Sequence, residues 1–221
     1  MDREIEVYRR LLDHHGPQHW WPAENAFEVI VGALLMQQTA WRNVAAAIRS
    51  LKEAGLLEVH ALASASVPLI RRHVKGTGLY RTKPRRLRDF CRHLLARSDG
   101  DLTRYFDRPT ESARADLLAQ EGVGPETADS ILLYAGGHPV FLVDAYTIRV
   151  GRRIGLFDAE AYDAVQRHFE ESVPRDLRVY QEYHALFVRH AVTLCRPTPK
   201  CDACPLQEMC DFGLGRRKTH R

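Results

Sequence analysis

Apolar positions recur with helical spacing along nearly the whole chain. Ile5, Tyr8, Leu11 and Leu12 form one stripe, and Phe27, Ile30, Val31, Leu34 and Leu35 form another. Val44, Ala47, Ile48 and Leu51 continue the pattern, as do Leu117, Leu118, Ile131 and Leu132, and later Ala185, Val188 and Val192. Breaks fall at Gly16-Pro17, Gly55, Gly76 to Gly78, Gly100, Gly122 to Gly124, Gly136-Gly137 and Pro174. The only strand-like run, Pro139 to Val143, has no plausible partner strands. The pattern therefore predicts an all-α protein of about ten short helices. Residues 111–121 form one of them and 125–135 the next, joined by Gly122-Val123-Gly124.

Composition sharpens this only slightly. With 221 residues and 45% apolar content, the chain can bury the core of one large domain or two small ones. No apolar run approaches a membrane span, and the mixed charge of Asp2, Arg3 and Glu4 does not suit a signal peptide. A cytoplasmic protein without a membrane partner is expected. The net charge of +4 favours a polyanionic partner mildly. Of five cysteines, Cys91 stands alone, whereas Cys195, Cys201, Cys204 and Cys210 fall within sixteen residues. In a reducing compartment that cluster suggests a metal site rather than disulfides.

Two short motifs carry candidate chemistry. At Gly122-Val123-Gly124, glycines permit backbone angles closed to other residues and remove side chains that would block close approach. Pro125 suits the first turn of the following helix, whose N-terminal amides form a seat for phosphate. An ordinary turn between two helices would look the same. Asp144 stands where a new helix should begin, so it can act as an N-cap. A carboxylate there could also stabilise a cationic sugar or position an attacking water.

Glu121 to Ala128, followed at the right distance by Val143-Asp144-Ala145-Tyr146-Thr147, resembles the helix-hairpin-helix DNA glycosylases of the endonuclease III superfamily. Leu35-Met36-Gln37-Gln38-Thr39 is similar to that family's early glutamine-containing segment, and Gly78-Leu79-Tyr80-Arg81-Thr82-Lys83 resembles its Gly-Leu-Tyr loop. The resemblance implies an all-α fold of two domains with a DNA cleft between them. These would be a six-helix barrel with the hairpin over 22–135, and a second helical domain over 1–21 and 136–221 ending in a [4Fe–4S] cluster loop. It implies a monomeric, nucleoid-associated enzyme acting on double-stranded DNA that carries a damaged base. Asp144 would be the essential carboxylate. Gln38 and Leu79 would fill the gap left by the extruded nucleotide, although a surface amide and a core leucine fit the same positions. Gly122, Val123, Gly124 and Lys83 would contact DNA, as would other residues of the basic stretch Arg81 to Arg88.

Bifunctional members of the family place a lysine where this chain has Glu126. An amine is needed to attack the sugar and form a Schiff base, from which strand cleavage follows. No lysine lies between Lys83 and Lys200. A monofunctional glycosylase without a lyase step is expected. Trp20, Trp21, Pro22 and Trp41, together with Glu126, resemble the 3-methyladenine DNA glycosylases of endonuclease III type, although core packing suits tryptophan equally well. Such an aromatic slot favours an alkylated, positively charged purine by cation–π attraction. Uracil, mismatched thymine or an oxidised pyrimidine is the alternative substrate, and a non-catalytic DNA-binding module is the alternative class. The four clustered cysteines can hold a [4Fe–4S] cluster or a zinc ion by spacing alone. The resemblance favours the iron–sulfur cluster, with a first gap one residue shorter than the family's usual one. Arg196, Lys200 and Arg216-Arg217-Lys218 are placed to meet phosphates, and Cys91 is expected to be a buried small hydrophobe.

Overall fold

The computed structural model describes residues 3–216 and contains α-helices, short 3-10 turns and no strand among them. The helices are α1 (Arg3–His15), α2 (Ala26–Leu35), α3 (Trp41–Glu53), α4 (Val59–Ser64), α5 (Val67–Val74), α6 (Lys83–Ser98), α7 (Leu102–Phe106), α8 (Thr110–Leu118), α9 (Pro125–Tyr134), α10 (Ala145–Ile154), α11 (Tyr162–Ser172) and α12 (Leu177–Thr193). The pattern of apolar residues predicted about ten. The six-residue α4 and five-residue α7 are too short to display a helical period. Five helix starts are capped by a side chain: Asn25, Ser66, Asp101, Asp144 and Asp176 each accept a hydrogen bond from a backbone N–H three residues on. No helix among the described residues is long and apolar enough to cross a membrane.

The chain forms two compact units, one over Trp21–His138 and the other from the segments up to Trp20 and from Pro139 on. In the first, α2 is the hub. It is apolar on every side, with each residue from Val29 to Leu35 buried, and it packs against α3, α6 and α9. The hairpin helices α8 and α9 are joined by a bidentate ion pair, Arg114 Nε to Asp129 Oδ1 at 2.7 Å and Nη2 to Oδ2 at 3.1 Å. The Asp129 side chain is fully buried, so this pairing has to be satisfied. Asp116 fastens α8 to its neighbours by accepting from His93, Arg97, Tyr105 and Arg108 at 2.7–3.0 Å.

The second unit has an aromatic core. Phe141 stacks on Phe169 at 4.2 Å, Tyr183 stacks on Phe187 at 4.7 Å, and the Tyr183 hydroxyl donates to the Glu4 carbonyl at 2.8 Å. The strand-like run 139–143 is extended but pairs with no strand. Side chains of α11 take the place of a ladder: Phe141 N–H donates to Glu170 Oε1 at 3.0 Å, and its carbonyl accepts from Gln166 Nε2 at 2.8 Å. The expected stripe on α12 is displaced, because Val192 is exposed and Tyr180, Tyr183, Phe187 and Ala191 form the buried face.

Candidate functional site

The Gly122 turn is narrower in its demands than two glycines suggest. Gly122 has φ +80°, and a Cβ there would fall 2.6 Å from the Arg86 guanidinium. Gly124 is extended, at φ −94° and ψ 179°, with open space where a Cβ would be. Neither backbone geometry nor a neighbouring group therefore requires glycine at this position. Val123, expected at the DNA, has a buried side chain, and its N–H is engaged by the Gln120 carbonyl at 3.1 Å. Arg85 and Arg86 both pair with Glu121, so part of the basic stretch is already neutralised.

Gln38 and Leu79 both lie exposed, with left-handed backbones of φ +55° and +44°. That conformation is strained for a residue with a side chain, especially leucine. Between them sits the main departure from expectation. Lys83, expected at the DNA, turns inward: it is 2% exposed, and its Nζ donates to the carbonyls of Leu35 at 2.8 Å, Gln37 at 2.7 Å and Thr77 at 2.6 Å. Burial lowers its pKa to about 8. Gln37, beside Gln38, turns the other way and donates from Nε2 to the Gly122 carbonyl at 2.6 Å and to Thr127 Oγ1 at 3.3 Å.

Trp21 and Trp41 meet edge to face at 5.5 Å, and Tyr134 joins Trp21 at 5.7 Å. A Cβ on Gly32 would lie 3.1 Å from Trp21, so that glycine lets the indole rest on α2. Tyr134 was not anticipated, because at the end of α9 it resembles one more half-apolar helix position. Pro22 is exposed beside this group. Trp20 is half-buried and belongs to the other compact unit. Glu126 is exposed in the first turn of α9.

Asp144 is the N-cap of α10. Its Oδ1 accepts from the Thr147 N–H at 2.7 Å and from Thr147 Oγ1 at 2.9 Å. Its Oδ2 lies 3.6 Å from His184 Nε2, and both side chains are nearly buried. Burial pushes the Asp144 pKa up, but His184 and the Thr147 bonds outweigh it and hold the carboxyl below the usual value. It is therefore a nearly buried carboxylate whose ionised form is favoured, with one oxygen engaged by its cap. His184 was missed because it occupies an ordinary position in the buried stripe of α12.

The four cysteines converge. Cys195, Cys201, Cys204 and Cys210 line one pocket, together with Ile154, Leu194 and Leu206 and with Arg153, His190 and Lys200. The surrounding loop is held by arginines: Arg149 Nε donates to the Cys195 carbonyl at 3.1 Å, and Arg153 donates to the carbonyls of Arg196 at 2.6 Å and Pro197 at 3.0 Å. Among the described residues, no three Cys, His, Asp or Glu side chains close round a single metal-ion position. Cys91 is fully buried elsewhere, its thiol pushed up to about 12 by burial. Arg217 and Lys218 lie outside the described residues.

The helical hairpin and the capping carboxylate lie within two all-helical units whose fold is endonuclease III-like. The chain belongs to the HhH-GPD superfamily of base excision DNA repair proteins, whose family model matches residues 31–175. It is 42% identical over 207 residues to "Putative DNA repair glycosylase MJ1434" of Methanocaldococcus jannaschii, covering 93% of this chain and 94% of that one. It is similar to the 3-methyladenine DNA glycosylase MagIII of H. pylori bound to 1,N6-ethenoadenine, at 25% identity and a TM-score of 0.75, over 86% of this chain and 97% of the other. In fold it also matches an endonuclease III trapped as a covalent intermediate with DNA, with a TM-score of 0.82 at 21% identity over 99% and 100% of the two chains. The relatives place the protein among DNA glycosylases.

Proposed function

We propose that this DNA glycosylase removes alkylated purines such as 3-methyladenine from duplex DNA by hydrolysis and leaves the strand uncut. The observation that carries the reading is a carboxylate in the place where an amine is needed. At the head of α9, where the lyase reaction needs a nucleophilic amine, the chain presents the exposed carboxylate of Glu126. Lys83 cannot replace it, because its ammonium is buried against three carbonyls. Asp144, ionised and held by its cap, is left to stabilise the cationic sugar or to orient the attacking water. The Trp21–Trp41–Tyr134 group offers electron-rich faces to a positively charged base. The similarity to a 3-methyladenine glycosylase agrees with that choice.

The four cysteines would hold a [4Fe–4S] cluster. Four thiols lining one pocket supply the four-thiolate set that such a cluster takes, and the resemblance to the endonuclease III superfamily favours it over zinc. Iron and acid-labile sulfide analysis of the purified protein tests this, and stoichiometric zinc without sulfide refutes it. For the reaction, free 3-methyladenine should appear when methylated DNA is incubated with the protein. Uracil excision without release of methylated bases would overturn the substrate assignment. Borohydride should trap no covalent adduct with abasic DNA, and a trapped complex would overturn the hydrolytic mechanism.

A further inference from the structure

Gln38 and Leu79 are two of only four non-glycine residues with positive φ among the described residues. Such backbones persist where their surroundings over-determine them. Here both are set by Lys83. Its side chain holds the carbonyl immediately before Gln38 and the carbonyl two residues before Leu79. Its own backbone N–H donates to the Leu79 carbonyl at 3.0 Å. An ammonium has three N–H bonds, and three carbonyls accept them. Gln37 extends the network to the hairpin through its bonds to Gly122 and Thr127.

We propose that Lys83 and Gln37 are positioning residues that lock Gln38 and Leu79 in left-handed form and tie both to the Gly122 turn. The two side chains then meet an opened base pair as one preformed wedge. This rests on the proposed function, in which Gln38 and Leu79 enter the duplex. It reassigns a lysine that looks like a phosphate contact to the internal geometry of the DNA surface.

The test uses the full chain with Lys83→Met, which keeps the length of the side chain and removes its donors. Affinity is measured for a duplex with a tetrahydrofuran abasic-site analogue and for the intact duplex. The preference for the abasic duplex should fall roughly tenfold, as expected if the competent loop arrangement is populated a tenth of the time. Amide exchange at residues 36–39 and 77–82 of the DNA-free protein should rise. In a Gln38→Ala/Leu79→Ala background the same change should alter the preference by less than about twofold. No drop in the native background, or an equal drop in the double-alanine background, overturns the proposal. If Lys83→Met does not fold, Gln37→Leu takes its place, since it cuts the link to Gly122 and leaves the lysine intact. An unchanged preference there overturns the proposal as well. A native protein with no abasic-site preference would sink the wedge reading itself, and the exchange data would still decide whether Lys83 holds the loops.

Discussion

In the Trp21–His138 unit, the candidate DNA surface stands on strained backbone held from behind. Gln38 and Leu79 are left-handed, and a buried cation with a glutamine binds the carbonyls that keep them so. In the other unit the candidate carboxylate stands on relaxed backbone. Asp144 is extended, at φ −133° and ψ −179°, as an N-cap should be. The helix behind it is fixed at both ends, by Thr147 at its head and by Arg149 and Arg153 on the cysteine loop at its tail. A reacting carboxylate needs one fixed position, and a cap supplies it from residues three apart. A surface that displaces a nucleotide needs side chains thrust outward, and here that geometry depends on contacts from distant parts of the sequence. Function on the first surface should therefore fail through its supports, and function on the second through the group itself.

The largest expected effect is at Asp144. Asn caps a helix about as well as Asp, so Asp144→Asn keeps the fold and removes the charge. Base release should fall roughly 10³-fold or more with duplex binding retained, measured by single-turnover excision beside a binding titration. Retained release would show that the cap is the whole role of this residue. The pH dependence follows from the direction of its shift. A carboxyl whose folded pKa is depressed stabilises the fold above its unfolded value and loses that contribution as pH falls through the folded value. Asp144→Asn should flatten the stability profile below about pH 4.

Next in size is removal of the candidate cluster. With Cys204→Ser, iron and sulfide should be lost, and amide exchange across 195–214 should rise roughly a hundredfold as the loop opens locally. Exchange in the Trp21–His138 unit should stay within about twofold. A matching rise in both units would show that the cysteine loop supports more than the helix that presents Asp144.

His184 comes third. His184→Ala removes one of the partners that lower the Asp144 pKa and leaves the Thr147 bonds alone to oppose burial, so the pKa should rise. Base release should drop roughly tenfold through misplacement of the carboxylate, and the acid limb of the pH–rate profile should move to higher pH. His184→Gln, which restores a donor, should recover part of the rate. A pH profile that does not move would reduce His184 to a packing residue.

Much of this architecture is legible in the sequence where the cause is local. The unbroken apolar run from Val29 to Leu35 announces the central helix, and Asp144 stands at a helix start in sequence and in space. The four cysteines announce a shared site by spacing alone. What escapes is set by distant partners. Lys83 sits among Arg81, Arg85 and Arg86 and therefore resembles a phosphate contact. Its acceptors, however, lie 46 and 48 residues upstream as well as 6. Tyr134 and His184 occupy unremarkable helix positions until the helices pack. The run at 139–143 looks like a strand because its backbone is extended, and only the side chains of α11 explain how it is satisfied.

The smallest effect separates the two glycines of the hairpin. Gly122→Ala places a side chain at φ +80° against Arg86, and should lower stability by about 1 kcal/mol or more. Gly124→Ala meets neither strain nor a neighbour, and its stability should change by no more than about 0.5 kcal/mol. If Gly124 is kept small for DNA, its alanine variant should nevertheless bind duplex a few-fold more weakly, because a methyl group then stands between the backbone amides and a phosphate. Equal stability losses at the two positions would contradict the backbone assignment. An unchanged duplex affinity for Gly124→Ala would place the phosphate contact elsewhere on the turn, closer to Gly122 and the Lys83–Gln37 network behind it.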